Sequence, residues 1–348
     1  MVQDWSYIKT QLFTSNKPAL LLGNGFSINL YETFEYNSLY ERAVSLEFLN
    51  SSDQRLFDSL HTTNFEYVLR IIKHAELYIN SYEIQGVEGA NAVPSIIYNR
   101  IRNALINTIK NIHYQWDSAD SQKFKSISEI LERYKSIFTT NYDLLLYWTI
   151  MEKGNSDIFK DFFWGPRNSF DLSDSKLLDE RAIPIYYLHG SLFLYHDLDS
   201  YAYKRIRDED QNLLQIIDDP ADDEESPLIV AEGEDSKKHN SICSSDYLEF
   251  CFNKLNNLNE NLVVFGHSLN KEHDRHIIDI LKRLIKTQKI AISIYNPAKE
   301  TTRNDQEIER YAQHLEVSTS NSNLLFYYAH DHPLGSHDLA LGPKPKEQ

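Results

Sequence analysis

The strongest constraint on how this chain can fold is a series of short apolar runs, each ending in a small or polar cluster. They are PALLLGNG (18–25), SIFTTN (136–141), IYYLHGS (185–191), PLIVAEG (227–233), NLVVFGHS (261–268), KIAISIYNP (289–297) and NLLFYYAH (323–330). Each is rich in Leu, Ile, Val, Phe and Tyr and shows little polar alternation. A strand open to water on one face alternates, whereas one covered on both faces does not. The runs therefore predict strands of a parallel sheet, whose successive members need crossover connections. Ligands of such sheets sit beyond the carboxyl ends of the strands, so the polar clusters should line one edge of a doubly wound, Rossmann-like α/β fold.

The connections show helical periodicity. Between the first and second runs, the stretch 31–135 reads as a helical insertion. In it Phe65, Val68, Leu69, Ile72 and Ile79 share one face, with Thr63 and Glu66 at the spacing of a capping box. Ile97, Ile101, Leu105, Ile109 and Ile112 form a second stripe, and Phe124, Ile127, Leu131 and Tyr134 a third. A helix over about 272–286 turns Ile277, Leu281, Leu284 and Ile285 inward and joins two predicted strands as a βαβ unit. The polar stretch 197–226 ends in DDPADDEE (218–225), a density of like charge that reads as a solvated loop. Residues 1–340 are expected to form one domain, with 341–348 as a flexible tail.

Composition narrows the partners. The 348-residue chain has 35 Lys and Arg against 51 Asp and Glu, and its net charge of -16 opposes docking on a nucleic-acid backbone or an anionic membrane. Cys243 and Cys251 supply neither a disulfide framework nor the four thiolates of a zinc ribbon. His273, His276 and the segment HDHPLGSHD (330–338) lack the pattern of a helical zinc site and read as surface or loop, so no metal is expected. The opening MVQDWSYIKTQLF has no long apolar signal core, and no run approaches the roughly 20 apolar residues of a membrane span. A cytoplasmic location is the expectation.

Chemistry should then come from the strand ends. Gly23 and Gly25 follow the first run, where a tight turn brings backbone close to a diphosphate. Ile28 stands at the third glycine of G-x-G-x-x-G, and an ordinary glycine turn accounts for the same residues. In TTNYD (139–143), Asp143 suits either a helix cap or a ligand, and Thr139 a turn, while the Asn141 amide can both donate to and accept from a sugar hydroxyl or a water. His189, with Gly190 behind it, can reach a ligand and titrate near neutral pH, although a lone histidine is often structural. Gly266-His267-Ser268 imitates a nucleophile elbow, but Asn270 replaces its final glycine, so Ser268 fits phosphate contact better than a serine hydrolase.

Taken in order, GNGFS, TTNYD, LHGS, GHSL and IYNP resemble the motifs of the sirtuin fold. The chain also resembles a family long catalogued as of unknown function, through LLLGNGFS, VAEGEDSKKHNSICSSDYL and VVFGHSLNKEHD, a likeness running from about Ala19 to Leu334. The sirtuin resemblance implies a site that binds NAD and breaks its nicotinamide–ribose bond. It implies that Gly23, Asn24, Gly25, Phe26 and Ser27 form the diphosphate loop, that Asn141 holds the nicotinamide ribose and its attacking water, and that Asp143 holds the carboxamide end. His189 would be the base, Gly266 and Ser268 would touch phosphate, and Asn296 the adenosine ribose. Two cysteines do not make the four-cysteine zinc module of the protein-deacylating members, and Asn24 stands where those have alanine. The implied activity is therefore NAD hydrolysis without zinc, as in related bacterial antiviral effectors, which are usually oligomers and in some cases assemble on a HerA-type ATPase. The alternative is a module that binds NAD or ADP-ribose without turnover and acts through a partner; protein deacylation ranks last.

Overall fold

The computed structural model describes residues 1–14, 16–34, 36–63, 65–81, 93–113, 120–151, 158–173, 181–196, 201–206, 227–229, 242 and 245–342. Its strands are β1 (Ala19–Leu22), β2 (Ile137–Thr139), β3 (Phe159–Lys160), β4 (Ile183–Tyr187), β5 (Gly190–His196), β6 (Ala202–Lys204), β7 (Pro227–Ile229), β8 (Leu262–Phe265), β9 (Ile290–Ile294) and β10 (Leu324–Tyr328). Seven of them form one sheet in the order β10-β9-β8-β1-β2-β4-β3, with every pairing parallel. Every residue of β1, β8 and β9 is buried, which explains why those runs are apolar throughout. Leu20, Leu21 and Leu22 are fully buried, each contributing about 2 kcal/mol by leaving water. The fold is a Rossmann-like, doubly wound α/β arrangement.

β1 is the hinge of the topology. From it the chain builds outward through β2 and β4 on one side, then returns to β8 on the other and continues through β9 to β10. The order reverses between β1 and β8, and in sheets of this kind a crevice opens beyond the carboxyl ends at that point.

PLIVAEG (227–233) does not join the parallel sheet as expected. Its described part, β7, pairs antiparallel with β5, which also pairs antiparallel with β6. An apolar run marks burial but not strand direction, and Gly190 permits the close pairing. Its φ is +73°, and a Cβ there would fall 1.8 Å from the Leu228 carbonyl oxygen.

Two compact units share the chain. One comprises 1–32, 114–229 and 242–348 and holds both sheets; the other comprises 33–113 and 230–241. The second contains α3 (Tyr36–Ser45), α4 (Ser51–Ser59), α5 (Phe65–Ser81) and α6 (Val93–Ile112), after α1 (Trp5–Leu12) and α2 (Asn24–Leu30) of the first. Phe65, Val68 and Leu69 of α5 and Ile101, Leu105 and Ile109 of α6 are buried along the stripes read from sequence. The Asn50 side chain accepts from the Asp53 amide, whose own carboxylate accepts from Asn50 N and pairs with Arg100 at 2.6 Å. The Glu66 side chain of the expected capping box lies outside the described residues, as do the acidic run 218–225, Cys243 and residues 343–348.

The first unit continues with α7 (Ser121–Leu131), α8 (Leu145–Met151), α9 (Asp246–Asn256), α10 (Arg275–Leu284) and α11 (Thr301–His314). α10 joins β8 to β9 and buries Ile277, Ile278, Ile280, Leu281 and Leu284 while Arg275 and Arg283 face water. No helix among the described residues is long and apolar enough to cross a membrane.

Candidate functional site

The carboxyl ends of β1, β2, β4 and β8 are laced together by backbone hydrogen bonds. Gly23 N donates to Phe265 O at 3.0 Å, Gly25 N to Gly266 O at 2.8 Å, Thr140 N to Leu22 O at 3.1 Å, and Leu188 N to Thr139 O at 2.9 Å. The segments carrying Gly23–Ser27, Thr139–Asp143, His189 and Gly266–Ser268 are thus neighbours along one edge.

On the β1–β8 side, backbone packs against backbone. A Cβ on Gly23 would lie 2.5 Å from His267 Cα, and one on Gly25 would lie 2.7 Å from Gly266 Cα. Gly266 itself has φ +65° and leaves no room for a Cβ against Gly25 and Phe26. The amides of Gly23, Gly25 and Phe26 donate to Phe265 O, Gly266 O and Gly23 O. Here the glycines permit close approach of two loops, which is the plain turn reading. Phe26 and Ser27 are buried and Asn24 is half-buried in the first turn of α2.

On the β2–β4 side, side chains do the linking. Asn141 Nδ2 donates to Ser27 Oγ at 2.8 Å, and Ser27 Oγ donates to Asp143 Oδ2 at 2.5 Å. Asp143 Oδ1 accepts from Leu145 N at 2.8 Å, which caps α8, and Thr139 Oγ1 accepts from Asn141 N at 3.0 Å, which tightens the turn. Burial pushes the Asp143 carboxyl above its ordinary range, opposed by the hydrogen bonds from Ser27 and Leu145. The amide nitrogen of Asn141 is committed to Ser27, which leaves its carbonyl oxygen as the uncommitted end of the side chain. Asn141 is 6% exposed, and its Oδ1 is buried and meets no donor among the described residues. A buried acceptor left without a donor costs about 1–3 kcal/mol, so such an atom usually marks a place for a ligand or water.

His189, two residues beyond β4, is buried, and its Nε2 lies 3.1 Å from His276 Nε2 in the first turn of α10. His276, expected at the surface or in a loop, is 6% exposed. Its signal was the helical spacing to Ile280 and Leu284, which puts it on the buried face. His332, also read as surface or loop, is 1% exposed; it receives Leu334 N at Nδ1 and meets Tyr134 Oη through Nε2 at 2.7 Å.

Gly266 N donates to Ser293 Oγ at 2.9 Å. Ser268 is exposed, and its carbonyl accepts from Arg310 Nη1 at 2.9 Å. One strand further out, beyond β9, Asn296 is 1% exposed and donates to Glu300 O and Asn304 Oδ1, both at 2.9 Å. Like Asn141, it is left with a buried carbonyl oxygen that meets no donor among the described residues. The site residues expected from sequence therefore lie along one edge, which also carries two buried side-chain acceptors, Asn141 Oδ1 and Asn296 Oδ1, that meet no donor among the described residues. Among the described residues no group of three or more His, Cys, Asp or Glu could hold a metal ion.

No curated protein matches the chain. A family model does match residues 20–327, and the chain belongs to that family, described as a domain of unknown function (DUF4917).

Proposed function

We propose that this chain hydrolyses NAD to nicotinamide and ADP-ribose at the carboxyl edge of its parallel sheet. The observation that carries the reading is Asn141 Oδ1, a buried acceptor that meets no donor among the described residues at the carboxyl end of β2, its amide nitrogen fixed by Ser27. Cleavage of the nicotinamide–ribose bond builds positive charge on the sugar and needs a positioned water more than covalent help. In this reading Asn141 Oδ1 accepts from that water or from a ribose hydroxyl, and His189 takes the proton released as the water attacks. Ser27 and Asp143 hold the Asn141 amide in register, and Asn296 Oδ1 accepts a hydroxyl of the second ribose. The sirtuin resemblance extends the proposal to a regulated antiviral or stress effector, working as an oligomer or with an ATPase partner of the HerA type.

The test is release of nicotinamide from NAD by the purified full chain, followed by chromatography. Turnover that falls by about 100-fold in both Asn141→Ala and His189→Ala supports the assignment. Unchanged turnover in those variants overturns the site, and saturable NAD binding without release makes the chain a binding module instead.

A further inference from the structure

His189 is followed by Gly190, whose positive φ and contact with Leu228 fix the backbone behind it, but the imidazole is not held by backbone alone. One partner of the ring comes from far along the chain. β4 and β8 are separated in the sheet by β2 and β1, three strand steps or about 14 Å. The connection from β8, residues 266–274, nevertheless delivers α10 so that His276 meets His189 ring to ring, with centroids 5.3 Å apart. Both rings are more than nine-tenths buried. The Phe252 ring of α9 lies 6.2 Å from that of His276, and Asp274, also buried, precedes His276 at the start of α10.

Two imidazole nitrogens 3.1 Å apart form one hydrogen bond, with one proton between them. The rings must therefore hold opposite tautomers at the facing nitrogens: one carries Nε2–H and the other a bare Nε2. A ring without such a partner can rotate or switch tautomer and present either nitrogen to a ligand.

We propose that His276 is a positioning residue for His189, fixing its ring and its tautomer and so determining which of its nitrogens serves as the base. The proposal rests on the NAD-hydrolysis reading for the base, but the tautomer lock itself does not depend on turnover. When the donor ring of the pair takes up a proton at Nδ1, the existing bond becomes charge-assisted and stabilises the imidazolium, with no bond made or broken other than that to the proton.

The lock is read by nitrogen NMR of the histidine rings in the full chain. His189 and His276 should show complementary tautomers in the native protein, and His276→Leu should change the tautomer balance of His189 while the melting transition stays cooperative. His276→Gln, which places an amide able to hydrogen-bond where Nε2 stood, should return the His189 balance toward the native one. In the nicotinamide assay His276→Leu should lower kcat by about 10- to 100-fold with KM within about twofold, and His276→Gln should recover most of it. A His189 tautomer indifferent to His276→Leu overturns the proposal, as does a kcat unchanged in that variant. A tautomer that does depend on His276, in a chain that releases no nicotinamide, upholds the lock and removes the NAD reading instead.

Discussion

The two halves of the carboxyl edge solve different problems. Around β1 and β8 the backbones of two loops touch at Gly23, Gly25 and Gly266, and three of the loop amides already have carbonyl partners. Around β2 and β4 the contacts are made by the side chains of Ser27, Asn141, Asp143 and His189, and an acceptor is left open. A glycine-rich turn is what draws the eye in a sequence, yet here its first duty is to let the chain pass itself. In the proposed reading the chemistry of the edge lies in the less conspicuous polar cluster.

Substitutions can break that division of labour. The largest effect is expected from Gly266→Ala, which puts a Cβ at positive φ only 2.7 Å from backbone atoms of Gly25 and Phe26. It should cost about 3–5 kcal/mol, a large part of a domain's stability, read as a drop in the urea midpoint. Asn141→Ala should do the reverse, leaving a cooperative melt while nicotinamide release falls by about 100- to 1,000-fold. If Gly266→Ala instead spares stability and abolishes activity alone, the glycine side is chemical and the comparison fails.

The buried histidines extend the contrast. His332 has both ring nitrogens engaged, by Leu334 N and Tyr134 Oη, and burial holds its pKa down to about 3. Its folded value lies below the unfolded one, so the unfolded chain binds the proton that the native ring refuses. Stability should be unaffected by this group above about pH 6.5 and fall by up to about 1.4 kcal/mol per pH unit as the pH drops from there toward 3. Urea midpoints at pH 7.5 and 5.5 should differ less in His332→Gln than in the parent chain. The smallest expected effect is at the outer end of the edge. Asn296→Ala should raise KM for NAD by about 3- to 10-fold with kcat nearly unchanged, because it removes one acceptor remote from the bond that breaks.

Much of this was legible in sequence for a physical reason. β1, β2, β4, β8, β9 and β10 are covered on both faces and so read as unbroken apolar runs. β3 has too few residues for any period, β6 (AYK) is not an apolar run, and β5 was hidden behind the His189-Gly190 turn that begins it. Asn141, Asp143 and His189 could be named because strand ends gather ligands. The place of Ser27 between Asn141 and Asp143 could not, since it depends on two segments meeting. His276 was missed for the same reason: an isolated histidine on a helix does not announce a partner 87 residues away.

The Ser27 hydroxyl bonds to residues 114 and 116 positions further along the chain, and nearly all of the second compact unit is threaded between them. Loop-closure entropy grows only with the logarithm of length, so lengthening such a connection from about 30 to about 116 residues costs only about 1.2 kcal/mol. The interval between Ser27 and Asn141 is therefore a place where whole substructures can be gained, lost or exchanged over descent at little thermodynamic expense, while the hydroxyl that closes the loop keeps the same two neighbours.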